Sequence, residues 1–239
     1  MSSIRDVLIV GAGLSGMALA IALRKTGIRT DVIEIHPKWD ILGVGISVQG
    51  PALRALKSVG LIDRCVRDGF GYSQVVNCDR NGNVEGVVDL PRLNGLQYPA
   101  CVGMMRPVLH QILADAMAEA GVSVRFGVTV KLFRQSPTSV DVEFSDDTQR
   151  TYDFVVGADG ANSKIREALF GPEHKPQYTG QAVWRAMVPR PPEVNARHAY
   201  YGPRHKAGFN PVSTQEMYIY LVQNVTGDPR LAPERWPAR

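Results

Sequence analysis

The stretch that most constrains this chain is Asp6–Glu34, DVLIVGAGLSGMALAIALRKTGIRTDVIE. Val7–Val10 is a short apolar run, the pattern of a strand buried on both faces of a parallel sheet. Gly11, Gly13 and Gly16 follow in the spacing G-x-G-x-x-G. The first glycine allows a tight turn, the second lets a pyrophosphate approach the backbone, and the third lets a helix pack close to the strand. The spacing predicts a helix from Leu14 to Thr26 with Gly27 as a left-handed C-cap. A second strand is expected over Thr30–Ile33, ending on Glu34. The helix N-terminus offers free N–H groups and a positive dipole end to a phosphate. Glu34 lies about 20 residues past the glycines, where a ribose-binding acid belongs. A lone G-x-G-x-x-G is often only a flexible turn. Here a strand before it, a helix after it and an acid at the right distance point to dinucleotide binding. An acid at Glu34 favours a free 2′-hydroxyl, hence FAD or NAD rather than NADP at this site.

With 239 residues the chain can form one large domain or two small ones, and a hydrophobic content of 44% gives it a core to bury. No run approaches the length needed to span a bilayer. The first apolar run is a strand broken by glycines rather than a secretory signal. Cys65, Cys78 and Cys101 are widely spaced and form neither a metal motif nor a disulfide framework, which fits a reduced, cytoplasmic setting. The net charge of +4 comes without a Lys/Arg block, so nucleic acid is not an expected partner. A mild positive balance suits an anionic cofactor or substrate without deciding between them.

Beyond Glu34, Gly43 and Gly45 suggest a close-approach loop. Pro51 opens a helix over Ala52–Val59 that Gly60 closes, and Leu61–Asp68 reads as a further helical turn. Ser73–Cys78 and Val84–Leu90 read as strands joined by the turn Asp79–Asn83, a hairpin that interrupts the dinucleotide-binding pattern and suggests an inserted second domain. Arg106-Pro107 opens an amphipathic helix through Ala120. Val122–Phe126, Val128–Phe133 and Val140–Phe144 read as an antiparallel meander. Asp153–Ala158 is an apolar strand running into Asp159-Gly160 and a helix over Ser163–Leu169. After Gly171 the composition shifts to prolines and aromatic strands: Ala182–Val188, His198–Tyr201 and Met217–Val222. The last stretch, Gly227–Arg239, is Pro- and Arg-rich and reads as a loop.

Three separated stretches coincide with one family: GAGLSG with Glu34, Arg106 in MMRPVLHQIL, and GADGANSKIR. The sequence resembles the class A flavoprotein monooxygenases, the para-hydroxybenzoate hydroxylase-like group, and within it the salicylate, urate and hydroxynicotinate hydroxylase branch. The resemblance implies an α/β fold: a Rossmann-like FAD-binding domain, residues 1–72 and 104–171, with a second β-sheet substrate domain, residues 73–103 and 172–239. It implies that Gly11, Gly13, Leu14, Ser15 and Gly16 lie at the FAD pyrophosphate. Glu34 would bond the adenosine ribose with Ile35 beside it, and Gly45 and Ser47, in the Gly43–Ser47 loop, would run along the flavin. Arg106 would reach the ribityl and phosphate region, Val130 would offer backbone to the adenine, and Asp159 would sit near the pyrophosphate where NADH or NADPH docks. Each has a plainer alternative: a solvated helix-start arginine, a meander valine, and an aspartate that is the N-cap of the next helix.

The implied chemistry is hydroxylation of a small aromatic or heteroaromatic acid by O2 and a reduced flavin, through a flavin hydroperoxide. The cofactor does the hard step, and the protein positions the ring and excludes water. Tyr218, His205 and Lys206 are the candidate substrate residues, each with a plainer reading as a sheet-packing tyrosine or a loop charge. No nucleophilic triad and no metal spacing stands out. The family pattern also includes a later Gly-Asp segment that this sequence lacks. A fragment of a longer product, half of a split enzyme completed by another polypeptide, a homo-oligomer, and an inactive FAD-binding relic all stay open. The 239-residue chain alone is expected to hold FAD weakly and to hydroxylate poorly.

Overall fold

The computed structural model describes residues 4–39, 41 and 43–225. In chain order the elements are β1 (Asp6–Val10), α1 (Leu14–Lys25), β2 (Arg29–Glu34), β3 (Gly45–Gln49), α2 (Gly50–Ser58), α3 (Ile62–Asp68), β4 (Phe70–Tyr72), β5 (Gln74–Asp79), β6 (Val84–Asp89), β7 (Cys101–Met105) and α4 (Arg106–Glu119). They continue as β8 (Val124–Phe126), β9 (Val130–Gln135), β10 (Val140–Phe144), β11 (Gln149–Tyr152), β12 (Phe154–Gly157), α5 (Lys164–Phe170), β13 (Gln181–Pro189), β14 (Arg197–Tyr201), β15 (His205–Pro211) and β16 (Glu216–Asn224). The described residues divide into two compact units. The first draws on the described residues within Met1–Gly43, Pro51–Asp68 and Met105–Pro176, the second on those within Val44–Gly50, Gly69–Met104 and Gln177–Arg239.

The first unit is built on a parallel sheet in the order β12-β1-β2-β8. The central strand β1 carries Leu8 and Ile9 at 0% exposure, as its unbroken apolar run requires of a strand covered on both faces. Helix α1 buries Gly16, Met17, Ala20 and Ile21, one stripe at helical spacing, and packs on β2 and α4. It ends at the Thr26 cap, where Gly27 turns left-handed at φ +81° and its N–H donates to Arg24 O. A meander β9-β10-β11 completes the unit. Its Val142, Phe144 and Tyr152 share a buried cluster with Leu8, Val10, Ile33 and Ile165.

Register decides where the site forms. Val10 stands opposite Ile33 on one side and Gly157 on the other. The residues that leave the three strands, Gly11, Glu34 and Ala158, therefore emerge side by side at the carboxyl end of the sheet. That is where open α/β sheets bind ligands.

The second unit holds a six-stranded sheet, order β13-β16-β15-β14-β5-β6, and a three-stranded sheet, order β3-β7-β4. The β5–β6 hairpin turns at Asp79, whose carboxylate accepts from the amides of Asn81 and Asn83.

Several expectations need correction. Val122–Phe126 does not begin the meander, because β8 pairs in parallel with β2 and belongs to the Rossmann sheet. Short half-buried runs look alike in either setting, since periodicity reports burial rather than partner. Gly45 and Ser47 do not lie in a loop; they are part of β3. A Cβ at Gly45 would collide with the ring of Tyr218, so this glycine serves close packing within the second unit. β4, β7, β11 and β15 were not expected as strands. The stretch Gly227–Arg239 lies outside the described residues.

Candidate functional site

A crevice of about 610 Å³ opens at the carboxyl end of the parallel sheet, entirely within the first unit. Gly11, Ala12, Gly13 and Leu14 form one wall, Glu34, Ile35 and His36 the next, Val128 and Thr129 a third, and Ala158, Asp159 and Gly160 a fourth. The glycines divide the work as their positions suggest. Gly11 sits at φ +106°, and a Cβ there would lie 2.5 Å from the Ala158 carbonyl oxygen. A Cβ at Gly16 would strike the Gly11 carbonyl, so the helix could not close on the turn. A Cβ at Gly13 would meet nothing within 4 Å, so the open side of the turn belongs to whatever the crevice holds. Gly13 is also the N-cap of α1 and supplies no capping side chain. The first N–H groups of the helix have no partner inside it, and Gly13 and Leu14 bring that helix end to the crevice.

Glu34 bridges two walls. Its Oε2 accepts from the Ala12 amide at 3.0 Å and its Oε1 from the His36 amide at 3.1 Å. Each carboxylate oxygen keeps a second lone pair, which two sugar hydroxyls could use. The Ala12 amide is thereby committed to Glu34 rather than to a phosphate.

Helix α4 supplies the remaining polar wall. Arg106 opens it, next to the proline of its first turn, and the stem of Arg106 packs against Gly43, where a Cβ would lie 2.9 Å from Arg106 Cδ. One turn on, His110 also lines the crevice. Trp39 meets the His110 ring edge-on at 4.6 Å and Phe126 at 4.8 Å. Burial, and then the Arg106 charge, push the His110 imidazolium below its ordinary range, while the Glu34 carboxylate pulls the other way. Neither His110 nor Trp39 was singled out in the sequence. The signal that could have found His110 is its spacing of one helical turn from Arg106.

Asp159 lines the crevice, but it is not the N-cap of α5. That residue is Ser163, whose hydroxyl accepts from the Arg166 amide at 2.9 Å. Asp159 braces the corner instead: its carboxylate accepts from Ser163 Oγ at 2.5 Å and from the Lys164 and Ile165 amides at 2.7 and 3.2 Å. With both oxygens so engaged, it shapes the corner's backbone. Val130 lies one residue beyond the crevice wall and packs against the buried cluster of the first unit. Ser15 and Gly16 lie on α1 behind the lining residues Gly13 and Leu14.

The second unit contains a separate buried polar network. Asn210 Nδ2 donates to Tyr218 Oη at 2.7 Å and to Ser47 Oγ at 2.6 Å. Tyr72 Oη donates to the same Ser47 oxygen at 3.0 Å, and Cys101 Sγ donates to Tyr72 Oη at 3.1 Å. Burial, and then the neighbouring Cys101, raise the Tyr72 phenol above its ordinary range, so it stays a neutral donor. Tyr218 is 7% exposed, with the Arg185 guanidinium 5.8 Å from its ring centre. The three substrate candidates are not brought together. Lys206 shares a face of β15 with Asn210 but stands four positions away, about 13 Å along the strand, with its Nζ 5.0 Å over the Tyr201 ring. His205 alternates to the opposite face and is exposed.

Among the described residues no group of His, Cys, Asp and Glu is placed to hold a metal, and no helix is long and apolar enough to cross a membrane. Comparison with known proteins agrees with the crevice. The family model described as FAD binding domain matches residues 5–237. 2-Heptyl-3-hydroxy-4(1H)-quinolone synthase of Pseudomonas aeruginosa is 30% identical over 92% of this chain and 56% of its own length. 6-Hydroxynicotinate 3-monooxygenase of Pseudomonas fluorescens is 32% identical over 82% of this chain and 50% of its own. The chain thus spans about half the length of the curated relatives it matches. The crystal structure of Klebsiella pneumoniae HpxO complexed with FAD and uric acid superposes with a TM-score of 0.81 at 22% identity, covering 95% of this chain and 58% of that one, which shows a shared fold. The chain belongs to the FAD binding domain family, among the class A flavoprotein monooxygenases.

Proposed function

We propose that this protein serves a FAD-dependent monooxygenase reaction that uses NADH or NADPH and O2 to hydroxylate a small, acidic aromatic or heteroaromatic substrate. The first unit holds the cofactor and the second carries substrate-facing residues. The observation that carries this reading is the convergence of three strand ends on one crevice, with a glycine turn on one side and a carboxylate on the other. In it the α1 N-terminus takes the diphosphate, Glu34 takes the sugar hydroxyls, and Arg106 neutralises phosphate charge from α4. Asp159 holds the backbone of the opposite corner in shape. The bound flavin supplies the redox chemistry. The protein's own residues bind, orient and keep water away. In the second unit, Tyr218, held by Asn210, offers a fixed phenol to the substrate ring.

The test is a titration with FAD followed by NAD(P)H oxidation with and without aromatic acids. Flavin binding together with oxidation that rises on adding an aromatic acid is the expected result. Flavin binding with no stimulation by any aromatic acid would favour a nucleotide-binding module without catalysis. Failure to bind at saturating FAD removes the proposal altogether.

A further inference from the structure

His110 is 6% exposed and lines the crevice, and its Nδ1, itself buried, has no hydrogen-bond partner among the described residues. A buried ring nitrogen without a partner is costly, so a ring that borders the crevice with that nitrogen unpaired calls for a ligand. The ring is held in place by Trp39, whose edge-on contact at 4.6 Å fixes one side. Arg106, one turn earlier on α4, and Glu34, on the facing wall, are the charges that act on it. Resting on the reading that this crevice takes the ADP half of FAD, we infer that His110 Nδ1 is a further binding group for the nucleotide, paired with a ribose hydroxyl beside Glu34.

The chemistry favours the sugar over the phosphates. Glu34 has two lone pairs left for sugar hydroxyls and no donor of its own. A neutral imidazole complements it, because it can accept from a hydroxyl or donate to one according to its tautomer. A phosphate would instead call for a full positive charge, which Arg106 already supplies from the same helix.

The identity of the unpaired atom makes the test specific. Asparagine places a polar atom where Nδ1 stands, whereas phenylalanine keeps the ring against Trp39 and removes the nitrogen. Titration calorimetry with ADP on the wild-type chain, His110→Phe and His110→Asn is the first measurement. We expect His110→Phe to weaken ADP binding about three- to tenfold, the size of one neutral hydrogen bond, and His110→Asn to recover most of it, with melting temperatures showing that both variants fold. The second measurement follows the nitrogen resonances of labelled His110 as adenosine or inorganic pyrophosphate is added. A shift with adenosine and none with pyrophosphate is the expected pattern. Equal ADP affinity in wild type and His110→Phe, or a shift with pyrophosphate alone, overturns the inference while leaving the FAD reading intact. Absence of ADP and FAD binding to the wild-type chain overturns the FAD reading itself, and the inference with it.

Discussion

Gly13 adopts φ −70°, a conformation open to any residue, and a Cβ there meets no atom within 4 Å. The fold makes no demand for glycine there, so on the proposed reading the demand comes from the ligand. Gly13→Val should therefore leave the melting temperature nearly unchanged while weakening FAD binding at least about tenfold, read by flavin fluorescence titration. Gly16→Val should do the opposite, unfolding the chain because its side chain strikes the Gly11 backbone. On the proposed reading, Glu34→Ala removes two charged hydrogen bonds to sugar hydroxyls, each worth about 1.5–3 kcal/mol, and should cost about 100-fold or more in FAD affinity. His110 carries a pH signature. Its folded pKa is depressed from 6.5, so the unfolded state binds more protons as the medium acidifies. Stability from this group is present above 6.5 and lost as pH falls. His110→Phe should flatten that part of the acid limb of a melting-temperature profile. Glycine spacing and Glu34 were legible in the sequence because backbone geometry and chain distance alone set them. His110 was hidden because only packing shows that a histidine is buried without a partner.

Among the elements, α3 and β11 make separate demands on the core. Cys65, on α3, is 0% exposed, and burial, with a smaller push from Asp68, raises its thiol from 9.0 to about 11. A raised acid pKa stabilises the fold below the unfolded value and loses that contribution as pH climbs from 9.0 toward about 11. Denaturant titrations of wild type and Cys65→Ala should show a smaller alkaline loss in the variant. Tyr152, at the end of β11, donates to Asp31 at 2.8 Å, while Arg150 pairs with the same carboxylate at 2.5 Å and with Asp6 at 3.1 Å. These bonds tie the meander to the parallel sheet. Tyr152→Phe should cost about 1 kcal/mol, the net value of one such hydrogen bond, measured by urea unfolding. Neither the Asp31 pairing nor the existence of β11 was visible beforehand, because QRTY is polar and flanked by turn residues. The strands with unbroken apolar runs, β1 and β12, were.

At the scale of the whole molecule, β12 is an outer strand of its sheet. Phe154 at 52% and Leu169 at 51% exposure line one shallow apolar depression there with Ile4. Apolar surface beside an outer strand favours association. Phe154→Thr combined with Leu169→Gln should lower light scattering at high protein concentration without altering FAD affinity. The two-unit division has its origin in β3 and β4–β7, segments that leave the first unit and return to it. The hairpin β5–β6 announced that excursion through its two strand-like runs and the Asn- and Gly-containing turn Asp79–Asn83.

The order of the first strand, glycine turn, helix and acid was determined by the sequence by itself, because each depends on neighbours within a turn or a strand. So was membership of a dinucleotide-binding class, since the fingerprint is a local piece of backbone geometry. Tertiary structure alone decided which strands lie side by side, and hence that Asp159 meets Gly11 and Glu34 at one crevice. It also decided that Gly45 packs on a tyrosine rather than flexing, that Ser163 and not Asp159 caps α5, and that His205 turns away from Tyr218. Those outcomes depend on register and packing between residues far apart in the chain, which no local pattern encodes.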